Sequence, residues 1–418
     1  MTKWTTLTAA LLSATALTGA AQACDVTVGM VMELTGPAGA YGQAGAKSVE
    51  MAFRDLNEAG GVLGCTLVTD TRDSQSQGNV AVDQATQLVT VKGVPVIIGG
   101  MISSVSIPIL TAVTAPGKVV QVSPASSSPT LTDLARDGKT GGYFFRTITS
   151  DALQGIAAAK YAMDSGLTKL TIINVNNDFG VNLEREFAAA YKALGGEITS
   201  TTPYNENQPN YGAEVTAAMA GEPQALYLIS YPVDGATIAR AWVSQGGPQK
   251  FLLNDGMNSS DFITAVGAQY LEGAYGTSSG TDETPSTKYF YDNYAGFSGG
   301  IEPSAPAADR SYDAGAIVGL AIAKAGEATA EKIRDAIPMV VDPAGEPIFA
   351  GPAEFTKALG LIAEGKAIRY QGVIGDVAFD ANGDISGPFR LWQIEGGEVV
   401  TKGQMSAEDV TAVKAGMK

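Results

Sequence analysis

Apolar positions along the chain follow two alternating patterns. Short β-branched runs, such as Val26-Thr27-Val28-Gly29-Met30-Val31-Met32, alternate with longer stretches of 3.6-residue period. The spacing predicts a helix over 43–59 with Val49, Met51, Ala52 and Leu56 inward. Gly60-Gly61 would end it, because glycine takes the left-handed cap conformation cheaply. A strand over 66–69, a helix over 80–91, a strand over 94–98, a helix over 106–115 and a strand over 119–122 follow. Strands that are near-continuously apolar and separated by helices belong to a parallel sheet covered on both faces. The segment 141–147 interrupts the rhythm. It resumes with helices over 153–163, 182–194, 213–219 and 236–245 and strands over 170–175, 197–201, 225–229 and 251–253. This is a second α/β unit of the same doubly wound kind. Beyond 275–280 the pattern turns helical (288–297, 308–325, 330–337). A late β segment, 377–379 and 391–394, flanks the turn-prone Asp380-Ala381-Asn382-Gly383-Asp384, and 342–352 reads as a loop.

The chain has 418 residues, enough for two or three domains at roughly 150 residues each. The first residues fit a secretory signal peptide: Lys3, an Ala/Leu-rich run from Leu7 to Ala21, and the small-x-small pattern Ala21-Gln22-Ala23. Cleavage after Ala23 would place the protein in the periplasm with Cys24 first. The run is too short and too rich in Thr and Ser for a membrane span. Two readings of Cys24 stand at this point. One is a lipid anchor, although Ala21 occupies the position where leucine is usual. The other is a disulfide to Cys65, the only other cysteine, which an exported protein permits and which strands beginning near both cysteines would bring together.

The chain carries no histidine, and 27 Lys+Arg stand against 43 Asp+Glu, a net charge of −16. Nucleic acid and anionic membrane surfaces are therefore poor partners. Histidine-based triads, histidine general bases and His-ligated zinc are excluded. Three motif matches fail on context. Gly296-Phe297-Ser298-Gly299-Gly300 resembles a nucleophile elbow but follows a helix and has no histidine to serve it. Gly36, Gly39, Gly42 and Gly45 before Ala46-Lys47-Ser48 lack the Gly-Lys pair of a phosphate loop. They read as a turn that leaves N–H groups at a helix start. Asp380, Asn382 and Asp384 lack the calcium-loop glutamate, since the twelfth position is Leu391. No cofactor or metal is expected.

Ligands of open α/β sheets bind beyond the carboxyl ends of the strands. The loops there hold Glu33-Leu34-Thr35-Gly36-Pro37 with Tyr41, Gly99-Gly100-Met101-Ile102-Ser103-Ser104, and Ser123-Pro124-Ala125-Ser126-Ser127-Ser128. The second unit adds Asn176-Asn177-Asp178-Phe179-Gly180, Ser230-Tyr231-Pro232 and Asn254-Asp255-Gly256. Hydroxyls and helix N-termini suit a carboxylate, an acid suits an ammonium, and aromatics suit an apolar tail. Together they describe an amino acid.

At these loops the sequence resembles the type I periplasmic solute-binding proteins of ABC importers, in their branched-chain amino acid group. The resemblance rests on Leu34-Thr35-Gly36-Pro37 with Tyr41-Gly42 and on Asp55-Leu56-Asn57-Glu58-Ala59-Gly60-Gly61-Val62 with Gly64. Ile98-Gly99 with Ser103-Ser104, Val122-Ser123-Pro124-Ala125, Asn177-Asp178-Phe179-Gly180 and Phe379-Asp380-Ala381-Asn382-Gly383-Asp384 complete it. It implies an α/β fold of two doubly wound, Rossmann-like lobes joined by three crossovers. The N-terminal lobe would comprise 24–146 and 277–388, the C-terminal lobe 147–276 and 389–418. Hinges would lie near 146–147, 276–278 and 387–389. The resemblance implies a ligand site in which Ser103, Ser127 and the Ala125 backbone meet the α-carboxylate, with Ser104 and Ser126 beside them among the ligand-binding residues. Asp255 would meet the ammonium, and Tyr41, Phe179 and Tyr231 the side chain. Family members often carry Tyr where Phe179 stands, Glu where Asp255 stands and Thr where Ser127 stands. The implied protein is not an enzyme. It is a monomeric receptor that delivers an amino acid, branched-chain or otherwise hydrophobic, to an ABC permease. Two other readings remain: the same fold binding urea, short amides or aromatic carboxylates for transport or sensing, and an exported enzyme working through Asp178 and Asp255.

Overall fold

The computed structural model describes residue 1 and residues 24–417; the proposed signal peptide lies outside the described residues. A five-stranded parallel sheet, in the order β2-β1-β3-β4-β5, is built from β1 (Asp25–Met32), β2 (Thr66–Asp73), β3 (Val96–Gly99), β4 (Val120–Ser123) and β5 (Phe144–Arg146). The second sheet begins with β6 (Lys169–Val175), β7 (Glu197–Tyr204), β8 (Ala225–Ile229), β9 (Phe251–Leu253) and β10 (Tyr275–Ser279). A small sheet of β11 (Glu346–Ile348), β12 (Ile368–Gly372) and β13 (Gly375–Asp376) intervenes. Then β14 (Phe389–Glu395) and β15 (Glu398–Met405) complete the second sheet in the order β15-β14-β10-β9-β8-β6-β7. Central strands β3, β4 and β8 are buried along their whole length, whereas edge strands β2 and β7 carry Thr, Asp, Arg and Glu and stay partly exposed. This is the expected difference between strands covered on both faces and strands that must discourage edge-to-edge pairing.

The chain passes between the sheets three times. It leaves the first after β5 and enters the second at β6. It returns after β10, so that helices Pro285–Ser298 and Ala308–Ala325 join the core of the first sheet, and crosses back into β14. The third passage pairs β14 antiparallel to β10, Arg390 opposite Ser278. The two-lobed doubly wound architecture thus stands as expected.

Several elements differ from the pattern reading. Segment 141–147, read as an interruption, contains edge strand β5, whose three residues are too few to register as a period. Segment 342–352, read as loop, contains β11. The late β segment pairs β14 with β15, not across 380–384, where only one isolated bridge, Phe379 to Ile385, forms. The first helix, α1 (Gly39–Glu58), starts four residues earlier than read and ends at Gly60-Gly61 as expected. Its glycines serve packing rather than phosphate. A Cβ on Gly42 would stand 2.1 Å from the Glu33 carbonyl oxygen, and one on Gly45 2.7 Å from the Met101 Cε. The close approach brings Tyr41 against the end of β1. The helix read over 80–91 is α2 (Gly78–Thr90), and the helix read over 106–115 is α3 (Ser103–Ile109), which starts three residues earlier and runs on into a π turn, Leu110–Thr114.

Cys24 and Cys65 form a disulfide across β1 and β2, their Cα atoms 4.8 Å apart. The disulfide reading holds, and a thioether lipid anchor on Cys24 is incompatible with it. The bridge closes a loop with a sequence separation of 41. By chain entropy, reduction should cost about 4 kcal/mol of stability, measurable as a lower denaturant midpoint in reductant.

Two fully buried carboxyls set the pH dependence. Burial pushes Glu33 up to about 7 despite the N–H groups of Met101 and Ile102 that donate to it. Burial also pushes Asp313 up to about 7 against donors Val373 N–H, Ile374 N–H and the Tyr370 hydroxyl. In the unfolded chain both ionise below pH 5, so between there and pH 7 only the native state keeps the protons. Stability should therefore fall as pH rises from about 5 to about 7, seen as a lower Tm at pH 8 than at pH 5.

Candidate functional site

The loops at the strand ends meet in a cleft between the two sheets. Its inner end is a cavity of about 10 Å³ lined by Tyr41, Met101, Ile102, Ser103, Ala125, Ser127, Phe179, Tyr231 and Asp255. A space of this size holds about one water, so a larger solute requires the lobes to part. Seven of the nine sequence-derived site residues line this cavity. Ser104 and Ser126 do not. Ser126 is fully buried behind the loop, its hydroxyl bonded to the Ser106 hydroxyl (2.7 Å) and the Gly100 carbonyl (3.2 Å). Ser104 is half-buried on the side of α3 away from the cavity wall. Runs of serine look alike in sequence. Which hydroxyl faces the cleft depends on the helix start, and α3 begins three residues before the read boundary.

The first-sheet wall is organised by one side chain. Arg146, at the end of β5, is fully buried. Its Nη1 donates to the carbonyls of Ser126 and Ser128, both at 3.1 Å, and so fixes the backbone on either side of Ser127. Its Nε donates to Asp384 at 2.6 Å, and Nη2 to the Thr132 hydroxyl, which in turn donates to Asp384. The Arg146 N–H donates to the Gly383 carbonyl. Gly383 has φ +79°, and a Cβ there would lie 2.1 Å from the Phe144 oxygen, so this turn accepts only glycine. Asp380, read as a turn residue, accepts from the N–H groups of Asn382 and Asp384. Ser103 accepts from the Ser128 N–H at 3.1 Å and retains its own proton for a solute oxygen.

The opposite wall comes from helix Asp178–Ala193. Its N-cap Asn177 accepts from the N–H groups of Phe179 and Gly180. The helix starts four residues before the read boundary, which puts Phe179 on its first turn. There it stacks on Tyr231 with ring centroids 5.7 Å apart. Asn177 also donates to the Tyr231 hydroxyl (3.2 Å), setting that ring's angle. Across the cleft, Asn182 donates to the hydroxyls of Ser128 (3.2 Å) and Thr130 (3.3 Å), a direct bond between the walls.

One carboxylate, Asp255, lines the inner cavity, and a second, Asp151, lies buried close to it. Asp255 opens a short 3-10 turn, Asp255–Met257, and accepts from the Asn254 amide at 3.1 Å. Asp151, which composition and loop reading missed, begins helix Asp151–Asp164 directly after the first passage between sheets. The Ser127 hydroxyl donates to its Oδ2 (2.9 Å), and its Oδ1 finds no partner among the described residues. Burial raises both carboxyls above the ordinary aspartate range, and the charge of Asp255 raises Asp151 further. The carboxylate close to Asp255 is therefore Asp151, whereas the Asp178 of the enzyme reading lies exposed. The signal for Asp151 was its N-cap pattern, Ser150-Asp151, placed just past the broken rhythm.

Outward from Tyr41 and Asp255 the cleft widens to a cavity of about 560 Å³, within the usual range for small-molecule sites. Two doubly wound lobes closing over a polar and aromatic cleft, with three passages beside it, define a two-lobed solute-binding receptor. The periplasmic binding protein family model matches residues 25–398, and the chain belongs to that family of non-enzymatic, extracytoplasmic solute receptors for ABC transport. The chain is 27% identical to the Leu/Ile/Val-binding protein BraC3 of Rhizobium johnstonii, over 94% of this chain and 98% of that one. It is 27% identical to the chemotactic signal transduction system substrate-binding protein BasB of Halobacterium salinarum, over 85% and 84%. Its fold matches the crystal structure of the leucine binding protein LivK from Thermotoga maritima with a TM-score of 0.78. That match has 24% identity and covers 92% of this chain and 99% of that one.

Removing one partner of the buried Arg146–Asp384 pair leaves the other charge uncompensated. Asp384→Ala should cost about 3–5 kcal/mol in chemical denaturation, whereas the exposed pair Lys288–Asp292 should yield under about 1 kcal/mol to Asp292→Ala.

Proposed function

We propose that this protein captures an α-amino acid with an apolar side chain between its lobes and presents the closed form to an ABC permease. The observation that carries this reading is the buried Asp255 in a cavity that also holds Ser103, Ser127, Phe179 and Tyr231, with Asp151 bonded to Ser127 and close enough to feel the charge of Asp255. Two desolvated carboxylates near one another repel, and an ammonium bonded to Asp255 relieves the repulsion with charge-assisted hydrogen bonds. The Ser103 hydroxyl and the loop backbone at 125–127 meet the carboxylate, with Ser127 dividing its role by orienting Asp151. The stacked Phe179 and Tyr231 cover the apolar side chain. Leu/Ile/Val binding in relatives such as BraC3 supports the branched-chain members of this class.

Closure turns on the three passages near 146–147, 276–278 and 387–389, which separate the lobes at 24–146 with 277–388 and 147–276 with 389–418. A solute that contacts both walls shifts the population toward the closed form, and the bond from Asn182 to Ser128 and Thr130 forms only there. The N-terminal 23 residues act as the export signal, and the receptor works in the periplasm as a monomer. The similarity to BasB favours a second use of the same closed form, presentation to a chemosensory partner, and the binding chemistry is common to both.

Calorimetry against leucine, isoleucine and valine tests the reading, with urea and benzoate as ligands that lack an ammonium. Asp255→Ala should weaken the amino acid by about 30-fold or more. Affinity should also fall as pH drops into the raised carboxyl range, because a proton on the Asp151–Asp255 pair must leave before the ammonium binds. The drop approaches tenfold per pH unit. Unchanged leucine affinity in Asp255→Ala, or tighter urea than leucine, refutes the amino acid reading.

A further inference from the structure

The outer cavity carries a feature the amino acid reading does not use. Two arginines line it, Arg310 on helix Ala308–Ala325 and Arg390 on β14. Arg310 is only 6% exposed. Its Nη1 is taken by Asp309 (2.7 Å) and its Nη2 by the Gly280 carbonyl (2.8 Å), but its Nε has no partner among the described residues. The buried Nε of Arg390 is likewise unpartnered. Arg390 is largely desolvated, and Arg310 stands close enough that the two guanidiniums repel. The one acid acting on Arg390, Asp309, is already paired with Arg310.

The other ionisable groups around this cavity leave the imbalance in place. Lys288 adds a further cation and pairs outward with Asp292, Glu283 lies exposed, and Tyr291 sits half-exposed beside Arg390. Asp255 and Tyr41 line both the inner and the outer cavity, so the two adjoin at these side chains, and the outer one has Asp255 at its inner end and the arginines further out. Two guanidiniums held together with spare donors and one shared carboxylate match an oxyanion, because arginine forks bind carboxylates with paired N–H donors.

We infer that Arg310 and Arg390 form an anion subsite, so that the receptor also takes amino acids whose side chain ends in a second carboxylate, the ammonium at Asp255 and the remote carboxylate at the arginines. This deepens the amino acid reading and rests on it for the position of the ammonium. The subsite spans the passage into β14, so a ligand reaching it touches a segment that must move when the lobes close. A neutral amino acid lacks that contact.

The test is calorimetry of aspartate, glutamate, 2-aminoadipate and 2-aminopimelate against norleucine, with wild type, Arg390→Gln and Arg390→Lys. Gln at 390 removes no hydrogen bond made by the Nε, so folding should survive, as an unchanged Tm would confirm. At least one diacid should bind about tenfold or more tighter than norleucine in wild type. Arg390→Gln should erase that advantage and leave norleucine unchanged, and Arg390→Lys should keep part of it. Glutarate, which has no ammonium, separates the two readings. A glutarate-induced rise in Tm that Arg390→Gln abolishes supports the anion subsite even if norleucine fails to bind. Diacids no tighter than norleucine, or an advantage that persists in Arg390→Gln, overturns the subsite while leaving any leucine binding intact.

Discussion

The buried guanidinium of Arg146 is the interaction on which the cleft depends. It sits where the chain first leaves one sheet for the other, and it ties three things together. Asp384, from the segment just before the third passage, neutralises it. The carbonyls of Ser126 and Ser128 accept from it, and Thr132 bridges it back to Asp384. Burying an arginine costs several kcal/mol unless its donors are used, and here its three nitrogens all are. The consequence is geometric. The loop bearing Ser127 is held by the chain on both sides, and the same network anchors two of the three passages. A hinge that must bend during closure is thereby kept beside a loop that must not.

Charge in the cleft is distributed with a direction. Asp255 lines the inner end with Asp151 close by; burial raises both carboxyls, and the charge of Asp255 raises Asp151 further. Arg310 and Arg390 crowd the outer end. Each pair is unfavourable alone, and each is relieved by a ligand group of opposite sign. A net charge of −16 says nothing of this, since it sums a surface the ligand never meets. Local desolvation, not the global field, sets what the cleft selects. The lack of histidine fits such a site, in which fixed charges, hydroxyls and rings suffice.

Closure requires contacts that compete with solvent at the rim. The Asn182 amide reaching Ser128 and Thr130 is one of these, and it joins the helix carrying Phe179 to the loop that Arg146 holds. The aromatic wall and the serine wall are therefore coupled through this amide, beside the bond from Ser127 to Asp151. A solute that fails to touch both walls gains nothing from that bond.

The sequence by itself determined the alternating α/β layers, the glycine stop after α1 and most of the cleft wall, while the structure chose the disulfide over the lipid anchor for Cys24. These are local or periodic properties: a buried parallel strand must be apolar throughout, and ligand loops must follow strand ends. Tyr41, Ser103, Ser127, Phe179, Tyr231 and Asp255 were legible because each lies in such a loop. The tertiary structure alone decided the rest. Three-residue strands such as β5 and β11 leave no period to read. Ser126 could not be told from Ser127, because a one-residue step in a loop reverses which hydroxyl faces the cleft. Asp151 lies close to Asp255, and Arg310 to Arg390, across separations of about a hundred residues and about eighty in the sequence. Such pairs are created only when the passages between the sheets bring distant segments together, and no pattern along the chain encodes a distance across a cleft.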